Sequence, residues 1–540
     1  MIEIKDTDKG VRSIIINGRR LHSAYDPEKE AIKFTDTQIP SSRSPNAIIV
    51  LGEGLGYLSK TLKIRFEHAK IISIFYSKSL FSHTLFDNTL SWYPESNTTL
   101  SDFIDENIDE FECEGLTIIE WPVSAALFPE ISKMSKDTIS RFVRTKSGSI
   151  RTTKAMGKLW IRNSVSNFIN IDDVFELKPF PQNAPIILAG SGPTLSKARD
   201  LIRCNREKIV IIALPSALEF FKSIDIIPDM IVLTDPGYYS FVHLEPMKDI
   251  RTTVCMPISA TRGIWKFKFK TVFIAQPHFF ETDLLSELGM KFPIIPPLGT
   301  VAATALHIAL NLSSQKIICI GLDFAYDDII SHVRPNAFEK ILDYESNRIS
   351  PLYGTTYRRT MHFAGIKKGA YGGRTSIPLE IYADWFNNLS LEIKARIWQL
   401  FPPAQRVNKI QNIEERDLRA FLNNLTPIDT DMQSSELGKK ASVPPYPSRC
   451  DRMKITYNVI TNWENQISDA VDCALKTKSV KPLLQNSVLE KIYFYSTSEY
   501  VELKKLENMK TNLYNEEKIN SLSQNILEFI KSLGSKISGE

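Results

Sequence analysis

Apolar and β-branched residues in this chain gather in short runs that end in glycine, proline or aspartate before a helix-spaced segment begins. The first such run is "AIIVL" (Ala47 to Leu51), followed by a glycine turn at Gly52, Gly54 and Gly56 and then a helical pattern. The next strand falls in "AKIISIFYSKSL". Between Arg151 and Asp173 the residues Met156, Leu159, Trp160, Val165 and Phe168 recur at helical spacing and predict a connecting helix. A second series then reads strand (184–189), glycine loop, helix, strand (208–214), helix and strand (229–235). It continues through "TVFIAQ" (271–276), the helix "GTVAATALHIALNL" (299–312) and the strand "KIICIGLDFAY" (316–326). β-branched runs alternating with helices predict a parallel sheet covered on both faces.

From about Leu379 the pattern turns helical. The stretch "LTPIDTDMQSSELGKKASVPPYPSRC" (425–450) is aperiodic and rich in Pro and Ser, the composition of a linker. Beyond it, 454–476 and 505–533 show amphipathic spacing without sustained heptads. The expected organisation is α/β: an N-terminal Rossmann-like domain (1–150), a connecting helix (151–180), a central domain (181–400) and a C-terminal helical region (401–540).

Composition narrows the partners. A net charge of +4 over 540 residues, with 43% apolar and 24% charged, is an ordinary globular mixture and disfavours a basic-patch nucleic-acid binder. The N-terminal "MIEIKDTDKGVRSIIINGRR" has acids where a signal peptide needs a basic flank, and no apolar core of sufficient length. The longest apolar stretches are too short or too interrupted to cross a bilayer. A cytoplasmic chain without a transmembrane segment is expected. Cys113, Cys204, Cys255, Cys319, Cys450 and Cys473 lie far apart with no C-x-x-C pair, so reduced thiols are the default and neither a disulfide framework nor structural zinc is indicated.

The loop in "IILAGSGPTLSKARDLI" would aim free backbone N–H groups and the positive end of a helix opening at Thr194 at one spot, which suits a phosphate. Being neither G-x-x-x-x-G-K-[ST] nor a complete G-x-G-x-x-G, it equally reads as a tight strand-to-helix turn. The N-terminal glycine turn has the Rossmann layout, but its partner strand runs into Phe75, Tyr76, Ser77 and Lys78 instead of the acid that holds ribose hydroxyls, which favours a scaffold. Ligands gather at the carboxyl ends of parallel strands, and there the sequence places Gly190 to Pro193, Ser216, Asp235, and Asp323 with Tyr326. Each aspartate alone equally reads as a cap or turn residue. Of the eight histidines, His332 and His362 fall close to this edge, and imidazole has the pKa a general base needs. No G-x-S-x-G, H-E-x-x-H or Cys–His pairing supports acyl or zinc hydrolysis.

Several separated motifs, in order, resemble the motility-associated factor (Maf) proteins that modify bacterial flagellins: "LHSAYDPEKEA", "GEGLGYL", "WIRNSVSNF", "LAGSGPTL", "IPDMIVLTDP", "PPLGTVAATALHIALNL", "IICIGLDFAY" and "GGRTSIPLEIYADWF". The resemblance covers about residues 15 to 400. It implies a central GT-A/sialyltransferase-like parallel-sheet domain that moves a nonulosonic acid, of pseudaminic or legionaminic type, from its CMP-activated form to Ser or Thr of flagellin, supporting flagellar assembly and motility. It further implies that Gly190, Ser191, Gly192 and Pro193 lie near phosphate or ribose, with Ser216, Asp235, Gly299, Thr300 and Asp323 around the nucleotide sugar, and that the Tyr326 phenol faces the leaving phosphate.

Sialyltransferases of this kind carry a catalytic histidine just before the segment corresponding to "RTSIPLEIY", where this chain has Tyr371, Gly372 and Gly373. His332 is the replacement candidate, with His362 second. No cofactor is certain from the sequence, with a divalent metal, Mg or Mn, left open. The central pattern also resembles archaeal enzymes that pyrophosphorylate 6-hydroxymethyl-dihydropterin, and a third reading is a non-catalytic flagellin-binding chaperone.

Overall fold

The apolar runs become strands buried along their whole length. A computed structural model describes residues 2–7, 9–40, 42–43, 45–86, 90–109, 112–177, 184–276, 280–362, 366–368, 374–401, 407–428, 446–492, 497–508 and 516–538. The chain divides into two compact units, Met1–Ala155 with Ala470–Gln485 and Ser496–Ser523, and Met156–Asp469 with Asn486–Tyr495 and Gln524–Glu540.

In the first unit, β1 (Ile2–Asp6), β2 (Arg12–Ile16) and β3 (Arg19–Arg20) form an antiparallel sheet. A parallel sheet in the order β6-β5-β4-β7 follows, made of β4 (Ala47–Leu51), β5 (Lys70–Ile74), β6 (Ser91–Trp92) and β7 (Leu116–Glu120). The glycine turn after β4 is packed by the protein's own side chains. A Cβ on Gly54 would lie 2.2 Å from Nε2 of the His22 ring, and one on Gly52 would lie 2.6 Å from Ser124. His22 Nε2 accepts the Leu55 N–H at 3.0 Å, and burial lowers the imidazole pKa to about 4, which keeps it neutral for that role. Glu53 turns beneath the following helix, where it accepts from Ser59, and burial pushes its carboxyl up to about 7. These contacts give Gly52 and Gly54 a packing reason for being glycine.

The second unit is built on an eight-stranded sheet in the order β12-β11-β10-β9-β8-β13-β16-β17. Its strands are β8 (Ile186–Ala189), β9 (Val210–Ala213), β10 (Met230–Val232), β11 (Thr253–Pro257), β12 (Lys270–Ile274), β13 (Ile317–Ile320), β16 (Ile397–Leu400) and β17 (Gln411–Ile413), and every pairing is parallel. A two-stranded antiparallel ribbon of β14 (Ile366–Lys368) and β15 (Arg374–Ser376) lies outside this sheet. From β8 the chain winds outward one way through β12, then returns to β8's other side with β13. The β8/β13 crevice is therefore the topological switch point, the place where open α/β sheets hold ligands.

Several sequence expectations change here. The region from Leu379, expected to be helical, contributes β16 and β17 to the sheet, because strands of four and three residues framed by short helices show no period of their own. β11 also escaped the pattern. The strand expected over 316–326 stops at Ile320, where Gly321 turns out at φ +70°. The connecting helix is the C-terminal part of one helix, Pro129–Asn170. The glycine loop opens into a 3-10 turn, Pro193–Ala198, before the helix Arg199–Cys204. Of the expected linker, 429–445 lies outside the described residues, and the helix Arg449–Thr477 starts within its end.

Packing at Gly54 sets a stability test. Gly54→Ala should destabilise the first unit by about 1–3 kcal/mol, the usual penalty for forcing a methyl into a filled site. Gly148→Ala, where a Cβ meets nothing within 4 Å, serves as the control. Urea unfolding that finds the two variants equally stable would refute a filled turn.

Candidate functional site

At the switch point two backbones touch. Gly190 N–H donates to Ile320 O at 2.8 Å and Gly192 N–H to Gly321 O at 2.7 Å. A Cβ on Gly190 would stand 2.4 Å from Gly321 O, and one on Gly321 would stand 2.8 Å from Gly190 O. No side chain fits on either strand end. The buried Asp323 carboxylate uses this closeness to cap the loop, accepting the Thr194 N–H at 2.8 Å and the Thr194 hydroxyl. Burial raises the Asp323 pKa, while the Thr194 bonds and nearby Lys197 pull against that rise.

The loop therefore differs from the expected set of free donors. The N–H groups of Gly190, Gly192 and Thr194 are spent on β13 and Asp323, and Pro193 has none. Among the described residues the Ser191 N–H makes no hydrogen bond, and Ser191 O accepts from Val333 N at 2.7 Å. This last bond ties the loop to the segment carrying His332.

The other residues picked from sequence lie at the ends of several different elements. Ser216 is half-buried in the turn Pro215–Ala217, which packs on the helix Tyr238–Leu244. Asp235 is exposed beyond β10, where its carboxylate accepts the Gly237 N–H at 2.7 Å and opens that helix. Its charge also reaches Tyr382, whose pKa is raised first by burial and then by Asp235. Thr300 opens the helix Val301–Leu312 without a side-chain cap bond, and Gly299 precedes it at φ +75°. Among the described residues no hydrogen bond joins Gly299 or Thr300 to the Gly190 loop.

Tyr326 is half-buried and donates its N–H to Arg374 O at 2.7 Å, an antiparallel bridge between the chain after β13 and the start of β15. His332 is half-buried, with Nδ1 2.9 Å from Ser331 Oγ and its ring edge-on to Phe338 at 5.8 Å. Burial lowers its pKa, which favours the neutral imidazole. His362 ends the helix Leu352–His362. Tyr371, Gly372 and Gly373 lie outside the described residues.

Three groups were missed from sequence. His243 packs on Phe338 at 4.5 Å, from the helix that Asp235 opens, so one phenylalanine carries both His243 and His332. Its Nδ1 is buried without a partner, and burial lowers its pKa to about 4. On the long helix, Asn163 donates to Pro236 O at 3.0 Å and Ser259 O at 3.3 Å, and Asn167 donates to Ile258 O at 2.8 Å and Ala260 O at 3.0 Å. The turns after β10 and β11 thus hang from two amides. Beneath them Glu281 accepts the Ser259 N–H at 3.1 Å, and burial pushes its carboxyl up to about 7. The four-residue spacing of Asn163 and Asn167 was the available signal. Among the described residues no group of three or more His, Cys, Asp or Glu is placed to hold a metal ion.

A family model described as 6-hydroxymethylpterin diphosphokinase MptE-like matches residues 160–328, from the last turns of the long helix to just past Tyr326. An uncharacterized protein of Treponema pallidum (strain Nichols) is 23% identical over 390 residues, spanning 71% of this chain and 83% of that protein. A second from the same organism is 26% identical over 210 residues, 36% of each chain. Among solved structures, the MAf glycosyltransferase from Magnetospirillum magneticum AMB-1 superposes with a TM-score of 0.50 at 14% identity, covering 99% of this chain and 90% of that one. The chain therefore shares a fold with that protein over nearly all its length.

Glu281 gives the site's scaffold a pH signature. Its folded pKa of about 7 stands above the ordinary 4.5, so the stability gained from the neutral acid is full below pH 4.5 and is lost as pH rises toward 7. Glu281→Gln cannot ionise. Its unfolding free energy relative to wild type, read from urea unfolding at each pH, should climb across that window by about 1–3 kcal/mol. A constant offset between the two profiles would contradict a neutral buried acid.

Proposed function

We propose that this chain is a glycosyltransferase that moves a nonulosonic acid, of pseudaminic or legionaminic type, from its CMP-activated donor to Ser or Thr of flagellin in the cytoplasm. The observation that supports the reading is the switch point itself, where the Gly190 loop touches Gly321 and is bonded through Ser191 O to the segment carrying His332, in a chain whose fold follows a Maf glycosyltransferase over 99% of its length. In this reading Gly190 to Pro193, Ser216, Asp235, Gly299 and Thr300 surround the nucleotide. Asp323 acts through Thr194 to hold the loop.

The chemistry follows from the side chains. With Nδ1–H donated to Ser331 Oγ, His332 Nε2 carries a lone pair and takes the proton of the acceptor hydroxyl. That oxygen bonds to the anomeric carbon while the bond from this carbon to the CMP phosphate oxygen breaks. The Tyr326 phenol donates a hydrogen bond to the charge growing on the departing phosphate. His362 is the alternative base.

A second reading, pyrophosphorylation of 6-hydroxymethyl-dihydropterin, is favoured by the family match to residues 160–328. It gives no task to the first unit or to the helical tail.

Flagellin co-expressed with this chain and a CMP-nonulosonic acid supply should gain the mass of the sugar by intact-mass spectrometry. An unchanged mass with donor present in the cell would overturn the transferase reading, and ATP-dependent turnover of the pterin would replace it. His332→Ala should slow single-turnover transfer by about 10²–10⁴-fold with CMP affinity kept. Tyr326→Phe should cost up to about 10²–10³-fold in the same step. His362→Ala should be mild. A strong loss in His362→Ala beside a normal His332→Ala would move the base there.

A further inference from the structure

Arg374 stands out among the cations around the switch point because its partners are not acids. Its carbonyl receives the Tyr326 N–H, and one residue on, the buried Thr375 hydroxyl donates to Phe324 O at 3.0 Å. β15 is thus stitched across the chain leaving β13. Directly opposed residues of an antiparallel pair project on the same face, their Cβ atoms about 4.5–5.5 Å apart. The bridge between Tyr326 and Arg374 therefore puts the phenol and the guanidinium on one side of the strap, with Thr375 on the other.

Among the described residues the guanidinium meets only the Met361 sulfur, a weak acceptor, and pairs with no carboxylate. Among the described residues Asp327 and Asp328, which follow Tyr326 in the chain, form no ion pair with it, and Arg334 is committed to Glu339 and to the Tyr353 ring. Arg374 as a residue is half-buried, its guanidinium is at the exposed end, and the donors it does not spend on sulfur match the planar, paired oxygens of a carboxylate or phosphate.

We propose that Arg374 binds an anionic oxygen group of the donor, its phosphate or its sugar carboxylate, in the space it shares with the Tyr326 phenol. The proposal rests on the reading of this crevice as a nucleotide-sugar site, and it adds the residue that tells a charged donor from a neutral one.

Calorimetry on the full chain separates the cases. Cytidine, CMP, a non-transferable 3-fluoro analogue of the CMP-nonulosonic acid, and inorganic pyrophosphate are titrated into wild type, Arg374→Met, Arg374→Gln and Arg374→Lys, with melting curves alongside. Binding is read from whichever neutral variant melts like wild type. The neutral variant should bind cytidine normally and its anionic ligand about ten- to a hundredfold more weakly, with Arg374→Lys in between. Weaker binding of both CMP and the analogue identifies the phosphate, and weaker binding of the analogue alone identifies the carboxylate. A wild-type protein that ignores every cytidine ligand but loses pyrophosphate on Arg374→Met would sink the CMP-sugar reading and leave the anion site standing. Unchanged affinity of a folded neutral variant for every anion, no anion bound by wild type, or failure of both neutral variants to fold would overturn the proposal.

Discussion

Everything at the carboxyl edge of the large sheet depends on two glycine backbones lying in contact. β8 and β13 run in register to Ala189 and Ile320, and the next residue on each is glycine. With a Cβ on Gly190 set 2.4 Å from Gly321 O, even alanine would push the strand ends apart. Only while they touch can Asp323 reach Thr194, and the Gly192 N–H find Gly321 O. A Cβ on Gly192 would meet the Asp323 carboxylate at 2.4 Å, so the cap itself needs a third glycine. The loop's glycines thus serve protein–protein closeness first, and what the site offers a ligand is what that closeness leaves over.

This changes how a glycine loop is read. A strand-to-helix turn exposes its N–H groups by default, and a phosphate is one way of satisfying them. Here Asp323 supplies the negative charge at the start of the helical turn, and neighbouring carbonyls take two other donors. Ser191 is left, joined through its carbonyl to Val333. Among the described residues the loop keeps a single unspent N–H, that of Ser191, to offer an anion.

The legible part of this architecture was the part written in local periodicity. Buried runs such as "IILA" and "IIAL" announce parallel strands because both faces must be apolar, and the glycines, Asp235, Asp323 and Tyr326 mark strand ends. β16 and β17 were illegible because they are too short for a period and belong to the sheet only through pairing with β13 and each other. The pairing of Tyr326 with Arg374, and of His243 with Phe338, joins residues far apart in sequence, and nothing in either local stretch names its partner. Asn163 and Asn167 share one helix face, but their task depends on carbonyls nearly a hundred positions away.

The shifted proton equilibria carry a related lesson. Perturbed groups in a crevice are a customary pointer to chemistry. In this protein Glu53 and Glu281, both pushed up to about 7, lie beneath turns, each with one oxygen bonded to the scaffold and the other buried without a partner. A neutral carboxylic acid can be buried at modest cost and still accept from a serine, whereas its anion would need a buried countercharge. His22 and His243 follow the same logic with opposite sign, kept neutral by burial at about 4. These four groups are buried in the scaffold. The candidates for chemistry, Tyr326 and His332, are by contrast only half-buried.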